Sequence, residues 1–420
     1  HIIMKYRKRI SDIELQRKLE ASGAVLIRGA KACGKTESAK QFARSVIYVD
    51  RDEQFQLLFD TAPKRLLLGE TPRLIDEWQV IPKLWNQVRH EVDDRKKTAQ
   101  FILTGSANPE ENVNMHSGAG RFTIVDMRTM SWQELGMSDA TIKLADLFQG
   151  FPVEVQNERT ELELIIEQIC KGGFPSLMDS KVEQALEVNR AYVELLAEVD
   201  MSRVSQNRRD PMKVRSLLKS LARNTSTMVD NLVLERDIKA HESIGLSRPT
   251  IYDYLDALNR LMMLEDQPAW NIHIRSSHTL RNSPKRHFTD VSLAVAALGI
   301  NQQNLLNDLL FAGFLFESMV IHDLRVYSQA NDAKVYHYRD SSGLEVDGIV
   351  QKYNGDWCAF EIKLGSGQIE EAAANLLRLA RLVTSDKCPA PKSLNIITGT
   401  GMGYTRKDGV NVISFASLGA

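Results

Sequence analysis

The sequence predicts a multidomain α/β protein, in which a parallel β-sheet is followed by helices and then by a second α/β region. The chain has 420 residues, and a domain typically holds roughly 100 to 200, so several domains are expected. Short apolar runs separated by helical stretches occur between residues 24 and 127, as in a parallel sheet with crossover helices. Alternating runs between residues 335 and 363 predict further strands.

The composition excludes several classes of protein. Charged residues make up 25% of the chain and hydrophobic residues 43%, as in globular proteins and unlike disordered or membrane chains. No apolar run approaches the roughly 20 residues of a membrane-spanning helix and no signal-peptide core is recognisable, so we expect a cytoplasmic protein without a membrane partner. The net charge of -1 predicts no global basic field, and four scattered cysteines indicate a reducing compartment rather than a zinc or disulfide site.

A glycine-rich loop follows the first predicted strand, Ala24–Arg28, and precedes a helical stretch. The loop has the pattern GxxxxGK[ST], in which glycines let backbone amides and the next helix point at phosphates. Lys35 would reach the β- and γ-phosphates of ATP, and Thr36 would bind Mg²⁺. The eight residues predicted to bind the nucleotide are Gly29, Ala30, Lys31, Ala32, Cys33, Gly34, Lys35 and Thr36.

Acidic and hydroxyl residues at the ends of two later strands complete this predicted site. The run 73–77 ends in Asp76, expected to hold Mg²⁺, and Glu77, a candidate general base for the attacking water. The run 101–106 ends in Thr104 and Ser106, whose hydroxyls would orient that water or sense the γ-phosphate. Because strand, loop, helix and acids follow in the required order, the sequence predicts an ATPase that uses ATP and Mg²⁺.

These motifs resemble the AAA+ type of P-loop ATPase over roughly residues 15–150, in the prokaryotic branch whose Walker B motif reads apolar-Asp-Glu and whose fourth strand ends in Thr-Gly-Ser. In that family a Gly-Arg element carries an arginine that can act across a subunit boundary, and the segment from Gly118 to Arg121 matches it. The resemblance therefore implies an arginine finger at Arg121 and a homo-oligomer. The resemblance does not distinguish action of Arg121 on its own subunit (in cis) from action on a neighbouring subunit (in trans).

The middle of the chain predicts a helical connector. Apolar residues at helical spacing occur over 161–169 and 182–199. Between them, the turn from Gly172 to Pro175 resembles the Gly-Gly-Phe-Pro signature that links this type of ATPase to a C-terminal region of largely unassigned function. The match to the family thereby extends over most of the chain.

Three more predicted helices within 211–265 resemble a helix-turn-helix, and the last begins with Ser247 as an N-cap and a proline in its first turn. A basic segment then follows, as in the wing of a winged-helix domain. The resemblance implies duplex or branched DNA as a partner, bound through salt-dependent contacts to phosphates. Winged helices also serve as protein-binding modules. The residues expected to contact DNA are Arg248, Tyr252, Arg275, Arg281, Lys285 and Arg286.

A second constellation of charged residues lies near the end of the chain. Glu317 falls on an apolar helix and Asp347 on an alternating strand, while Glu361 and Lys363 share one face of the next strand. In this order they resemble the PD-(D/E)xK nuclease fold, although no proline precedes Asp347. The resemblance implies that the acids hold Mg²⁺ and that Lys363 polarises the attacking water. The alternative is a binding domain in which these residues form ordinary salt bridges.

The complete expectation is an α/β multidomain chain with a P-loop NTPase (AAA+ like) sheet, a helical connector, a winged helix and a restriction-endonuclease-like domain. Its function would be that of a DNA-associated ATPase whose nucleotide cycle drives the winged-helix and nuclease-like module. Two alternatives stay open: an ATP-regulated, metal-dependent DNA endonuclease, and a nucleotide-switched interaction scaffold without DNA. The expected domain bounds are 1–135 for the ATPase, 136–205 for the connector, 206–295 for the winged helix and 296–420 for the nuclease-like domain.

Overall fold

The structure, a computed structural model, divides into two compact units. The first comprises His1–Thr129, Asp200–Arg208 and Asp256–Met263, and the second comprises Met130–Val199, Arg209–Leu255 and Leu264–Ala420. No helix in the described part of the chain is long and apolar enough to cross a membrane. The described residues are 6–51, 53–106, 118–155, 160–204, 208–272, 283–385 and 388–420.

The first unit is built on a five-stranded sheet. All its strands pair in parallel, and their spatial order is β2-β3-β4-β1-β5. The predicted parallel sheet is thereby confirmed. The elements in chain order are α1 (Ser11–Ala21), β1 (Ala24–Arg28), α2 (Lys35–Lys40), β2 (Ser45–Tyr48), α3 (Gln54–Thr61), α4 (Pro63–Leu66), β3 (Arg73–Asp76), α5 (Leu84–Arg95), β4 (Phe101–Gly105) and β5 (Phe122–Asp126), with a 3-10 turn at Trp78–Val80.

Helices cover both faces of this sheet. Side chains alternate along a strand, so Leu26 of β1 enters a core with Val88 of α5, whereas Ile27 enters a second core with Leu15 of α1. Trp85 stacks on Phe122 with ring centroids 3.9 Å apart in the first of these cores. Because the central strands are buried on both sides, they read in the sequence as continuous apolar runs.

The remaining elements lie in the second unit, apart from α10 and the end of α13, which belong to the first. They are α6 (Trp132–Leu135), β6 (Ile142–Lys143), α7 (Leu144–Leu147), α8 (Leu162–Lys171), α9 (Val182–Leu195), α10 (Met201–Arg203), α11 (Pro211–Arg223), α12 (Asn231–His241), α13 (Arg248–Arg260), α14 (Val291–Leu298), α15 (Gln302–Asn307), α16 (Leu309–Gln329), β7 (Ala333–Arg339), β8 (Glu345–Lys352), β9 (Trp357–Lys363), α17 (Ile369–Val383), β10 (Ser393–Thr398), β11 (Tyr404–Thr405), β12 (Asn411–Ser414) and β13 (Leu418–Gly419).

The second unit holds a mixed six-stranded sheet in the order β11-β12-β10-β9-β8-β7. Strands β7, β8 and β9 are antiparallel neighbours, whereas β10 runs parallel to both β9 and β12. Helices α16 and α17 pack on this sheet. The three strands predicted to carry the second charged constellation are therefore adjacent.

Helix α14 explains why two compact units appear where the sequence suggests four domains. Its residues from Val291 to Ala297 are all buried, because it is apolar on every side and must be enclosed. It packs against α8, α9 and α11, which the sequence places in two different domains. The connector and the predicted helix-turn-helix consequently share one core.

Candidate functional site

The glycine-rich loop leads from β1 into α2 and needs glycine at two positions. Gly34 has a φ of 104°, in the left-handed region that favours glycine. A Cβ atom at Gly29 would lie 2.1 Å from the carbonyl oxygen of Met127. The amide of Cys33 donates to the Ala30 oxygen at 3.3 Å, whereas across the described ranges no backbone oxygen accepts from the amide of Gly34. The wrapped loop thus presents a backbone donor to a phosphate.

Lys35 is folded into the loop. Its side chain is buried, and its ammonium donates to the carbonyl oxygens of Gly29 at 3.0 Å and Ala30 at 2.8 Å. An ammonium held inside the loop would be within reach of a phosphate bound by the same loop. Lys31 differs, because it is exposed and its amine lies 3.6 Å from the carboxylate of Asp200.

Two threonine hydroxyls meet one carboxylate at the carboxyl ends of β1, β3 and β4. Asp76 Oδ1 accepts hydrogen bonds from Thr36 at 2.7 Å and from Thr104 at 2.6 Å. The pairing explains this meeting, because β4 lies between β1 and β3 and places Thr104 in register with Asp76 and Ile27. Mg²⁺ binds through one or two protein oxygens together with substrate phosphates. The residues present therefore fit the implied ion, and Thr36 and Asp76 are the side chains that would hold it.

Glu77 is held by two neighbouring side chains. Its Oε2 accepts hydrogen bonds from Ser106 at 3.1 Å and from the amide of Gln79. Glu77 has a φ of 55°, a left-handed conformation that costs a residue other than glycine roughly 1 to 3 kcal/mol. The turn directly after β3 therefore directs the carboxylate towards the hydroxyl at the end of β4.

Gln79 and Arg9 are site residues that sequence reasoning missed, and no motif marks either of them. The amide nitrogen of Gln79 lies 3.4 Å from Ser106 Oγ, and its Oε1 is buried without a hydrogen-bond partner among the described residues. A Cβ atom at Gly105 would lie 2.7 Å from that oxygen, so the glycine makes room for Gln79. Arg9 donates to the carbonyl oxygen of Cys33 at 2.9 Å and thereby supports the loop.

Arg121 lies at the other end of the sheet. Its carbonyl oxygen accepts the amide of Ala24, the first residue of β1, whereas the loop follows Arg28 at the far end. These ends are roughly 13 Å apart at about 3.3 Å per residue. The guanidinium instead pairs with Asp93 of α5 at 2.9 Å, and this hydrogen bond holds the pKa of that carboxyl below its usual range. Arg121 therefore lies away from the glycine-rich loop of its own chain, and its action as an arginine finger stays a prediction.

The four residues of the second constellation come together in the second unit. The ammonium of Lys363 lies 3.2 Å from Glu361 Oε2 and 3.7 Å from Asp347 Oδ2. Asp347 also accepts the amide of Ile362 at 2.9 Å. Glu317 of α16 also belongs to this cluster, because one further lysine forms ion pairs with both Glu317 and Asp347.

That shared lysine is Lys285, whose side chain is only 1% exposed. Its ammonium lies 2.8 Å from a Glu317 oxygen and 2.9 Å from a Glu345 oxygen. Asp347 Oδ1 is 3.4 Å away. The prediction that Lys285 contacts DNA is wrong, because a buried amine with these partners cannot reach a phosphate. Nor do the residues fit the Mg²⁺ implied by a nuclease-like site, since no group of three or more His, Cys, Asp or Glu within the described ranges could hold a metal ion.

The acids of this cluster differ in their pKa values. Burial, together with repulsion from Asp347, raises the pKa of Glu317 to about 8 although Lys285 opposes the change. Burial likewise raises the pKa of Glu361 well above its usual range. Burial also acts to raise the pKa of Asp347, but Lys285 and Lys363 outweigh it and lower that pKa to about 2. Asp347 is therefore the most acidic of these three carboxyl groups.

The remaining predicted DNA contacts do not form one surface in the structure. Arg275 and Arg281 lie outside the described residues. Arg286 is engaged within the second unit, where it pairs with Asp266 at 2.5 Å and donates to the Val229 oxygen at 3.3 Å. The expectation that Arg286 binds DNA is therefore corrected as well, because its guanidinium already has protein partners.

Arg248 and Tyr252 are exposed on α13. The side chain of Arg248 is 59% exposed and its guanidinium pairs with Glu235 at 2.9 Å. Tyr252 is 67% exposed. A surface ion pair of this kind is worth roughly 0 to 1 kcal/mol, so Arg248 can exchange its partner for a phosphate at little cost.

Comparisons with known proteins divide the chain into three parts. Residues 21–136 match the sequence profile of the AAA domain. Two domains of unknown function match elsewhere, DUF8612 over residues 162–304 and DUF4143 over residues 312–418. The uncharacterised proteins Mb2031c of Mycobacterium bovis and Rv2008c of Mycobacterium tuberculosis are each 25% identical to this chain over 388 residues, which cover 90% of this chain and 80% of each relative.

Solved structures resemble the chain only loosely. The Walker-type ATPase PABY2304 of Pyrococcus abyssi has a TM-score of 0.42 and 13% identity, over 70% of this chain and 98% of that one. The Drosophila ORC structure bound to DNA has a TM-score of 0.22 and 13% identity, over 71% of this chain and 90% of that one. TM-scores this low support no argument about function. The parallel sheet, the glycine-rich loop and the AAA match together identify residues 21–136 as an AAA-like P-loop ATPase domain.

Proposed function

We propose that the chain hydrolyses ATP at the loop of residues 29–36. The observation that carries the proposal is the meeting of Thr36, Asp76 and Thr104 beside the loop that holds Lys35. Mg²⁺ bound there would neutralise charge on the β- and γ-phosphates. The backbone of the loop binds the phosphates, and Lys35 exchanges its two carbonyl partners for phosphate oxygens.

Glu77 is the proposed general base, because its carboxylate stands directly after the metal ligand Asp76 and is oriented by Ser106 and Gln79. It accepts a proton from the attacking water, while the hydroxyl of Thr104 helps to fix Asp76. Arg121 is proposed to act on the site of a neighbouring subunit, since it cannot reach its own. Mixing Arg121→Ala subunits with Glu77→Gln subunits tests this proposal, because action in trans restores turnover that neither variant has alone.

Replacement of Lys35 by alanine should lower ATP turnover by about 10²-fold or more, because a positioned charge on the transferring phosphoryl group is lost. Lys40→Ala is the matched control, since Lys40 lies in the same helix and its ammonium pairs with the exposed Glu37. Steady-state phosphate release with Mg²⁺ and ATP measures both. Equal turnover in Lys35→Ala and the wild type would remove the proposed site.

A second proposed function is association with duplex or branched DNA through α13. The exposure of Arg248 and Tyr252 on one helix favours it, because phosphate contacts need accessible cations and aromatic rings can stack on exposed bases. Coupling to the nucleotide cycle would appear as a change of DNA affinity when ATP is bound. The scaffold alternative needs no DNA, so the same measurement distinguishes the two.

The replacement Arg248→Ala should weaken DNA binding and reduce the slope of log affinity against log salt by about 1, as expected for one lost phosphate contact. Arg381→Ala, an exposed arginine on α17, is the control and should leave the slope unchanged. Fluorescence anisotropy with single-stranded, duplex and branched DNA, with and without ATP, measures the effect. Absence of binding to every DNA at low salt would leave the scaffold as the better proposal.

A further inference from the structure

Residues 264–272 and 283–288, named here the strap, lie along the β7 edge of the second sheet. Gln267 and Lys285 exchange two backbone hydrogen bonds of 2.9 Å, which pair the two halves of the strap. The amide of Trp270 donates to the His337 oxygen at 2.7 Å, and the amide of His337 donates to the Pro268 oxygen at 3.0 Å. The strap therefore covers groups that an edge strand would otherwise expose.

Side chains fix the strap to the same sheet. Gln267 Nε2 donates to the carbonyl oxygens of Tyr336 at 2.9 Å and Asp347 at 2.8 Å. Tyr336 belongs to β7, and Asp347 belongs to β8, the strand that also carries Glu345. The position of Lys285 is therefore set by backbone contacts of the strap as well as by its charge. Residues 283–288, the described part of the segment that resembles a DNA-binding wing, thus help to cover the edge of the sheet.

The ammonium of Lys285 has three hydrogens, and three carboxylates surround it. The distances to Glu317 and Glu345, 2.8 and 2.9 Å, are those of charge-assisted hydrogen bonds. Mg²⁺ and Ca²⁺ would need oxygens at roughly 2.0 to 2.6 Å. The cluster is therefore spaced for an ammonium and not for a divalent ion.

We propose that Lys285 is the resident cation of this acid cluster. The folded chain binds no divalent ion there, and removal of the amine leaves room for the same carboxylates to move together around a divalent cation. This inference is independent of ATP hydrolysis, which takes place in the other unit. It replaces the metal-dependent endonuclease alternative, because that chemistry needs the ion that Lys285 displaces.

A metal ion added to the solution can reach the acid cluster. A cavity of about 540 Å³ is lined by Glu317 and Lys363 together with the glycine-rich segment that follows β9. A hydrated ion added to the solution can therefore reach the acids through it. If the wild type binds no ion at this place, the cause is the lysine rather than a closed path.

The test measures binding of Mn²⁺ alone to the full chain, without nucleotide, from the electron paramagnetic resonance signal of free Mn²⁺. Wild type and Asp347→Asn should bind the same number of ions. Lys285→Met should bind one further ion, and Lys285→Met combined with Asp347→Asn should lose it again. Lys334→Met is the matched control, since Lys334 is exposed on β7 and the chemical change is the same.

Two results would overturn the proposal. One is wild-type Mn²⁺ binding that Asp347→Asn abolishes, which would make the cluster a native metal site. The other is a Lys285→Met chain that is folded by circular dichroism yet gains no ion dependent on Asp347. If Lys285→Met does not fold, the comparison of wild type with Asp347→Asn decides alone, and Glu345→Gln, at a partly exposed acid, provides a second such comparison.

Discussion

Replacement of Glu77 by glutamine should lower ATP turnover by roughly 10² to 10⁴-fold, the range expected for loss of a general base. Binding of ATP should persist, because the loop, Lys35 and the pair of Thr36 with Asp76 are untouched. Glutamine has nearly the same shape as glutamate and keeps an oxygen that can accept from Ser106. The loss therefore reports on proton transfer rather than on folding. Phosphate release and equilibrium binding of a fluorescent ATP analogue measure the two quantities separately.

Two further variants show how large the loss of turnover in Glu77→Gln is in comparison with the loss of one hydrogen bond to Glu77 and with no loss at all. Gln79→Ala should lower turnover by about 10-fold, because one hydrogen bond of about 1 to 1.5 kcal/mol to the carboxylate is lost while the base remains. Glu70→Gln makes the same chemical change at an exposed residue of the first unit and should leave turnover unaltered. If Glu77→Gln turned over as fast as Glu70→Gln, Glu77 would not be the base.

Most of the proposed nucleotide site can be predicted from the sequence because its parts are local. The loop of residues 29–36 and the acids after β3 are each read from one strand and the residues that follow it. Thr104 was also found in this way, although its bond to Asp76 depends on β4 lying between β1 and β3. That strand order cannot be predicted from any single segment of the sequence.

Gln79 was not predicted from the sequence, because its role depends on the backbone conformation of Glu77 and on the space beside Gly105, which are known only from the fold. The left-handed backbone at Glu77 turns the chain back towards β4, and the glycine at 105 leaves space for the amide. A glutamine two residues after an acid carries no signal by itself. Sequence patterns of this kind therefore locate strands and loops better than they locate the side chains that orient a catalytic group.

The basic segment around Lys285 shows a second reason why sequence patterns failed to predict the role of a residue. A run of lysine and arginine in a sequence normally indicates a solvated face. Here the acids that surround Lys285 lie at positions 317, 345 and 347, far along the chain, and burial follows from those long-range contacts. The charge patterns therefore drew attention to both the acids and the lysine, but they assigned the acids to a nuclease-like site and Lys285 to a contact with DNA.

Replacement of Lys285 by methionine should destabilise the second unit by about 3 to 5 kcal/mol, because removal of one partner leaves uncompensated buried charge. Methionine keeps much of the apolar volume, so a cavity contributes little to the loss. For a unit of this size, about 2 to 4 °C is lost per kcal/mol, which gives a fall in the melting temperature of roughly 6 to 20 °C. Differential scanning calorimetry should show this shift in one transition.

A second substitution separates charge from packing in this prediction. Adding Glu317→Gln to Lys285→Met should recover part of the lost stability, because it removes one of the acids that the ammonium held. Lys334→Met should melt within a degree or so of the wild type, as expected for an exposed residue whose replacement costs at most about 0.5 kcal/mol. A Lys285→Met chain that melted with Lys334→Met would show that the lysine does not neutralise the acids. Recovery by Glu317→Gln would instead establish the acid cluster as an ion pair network that stabilises the sheet.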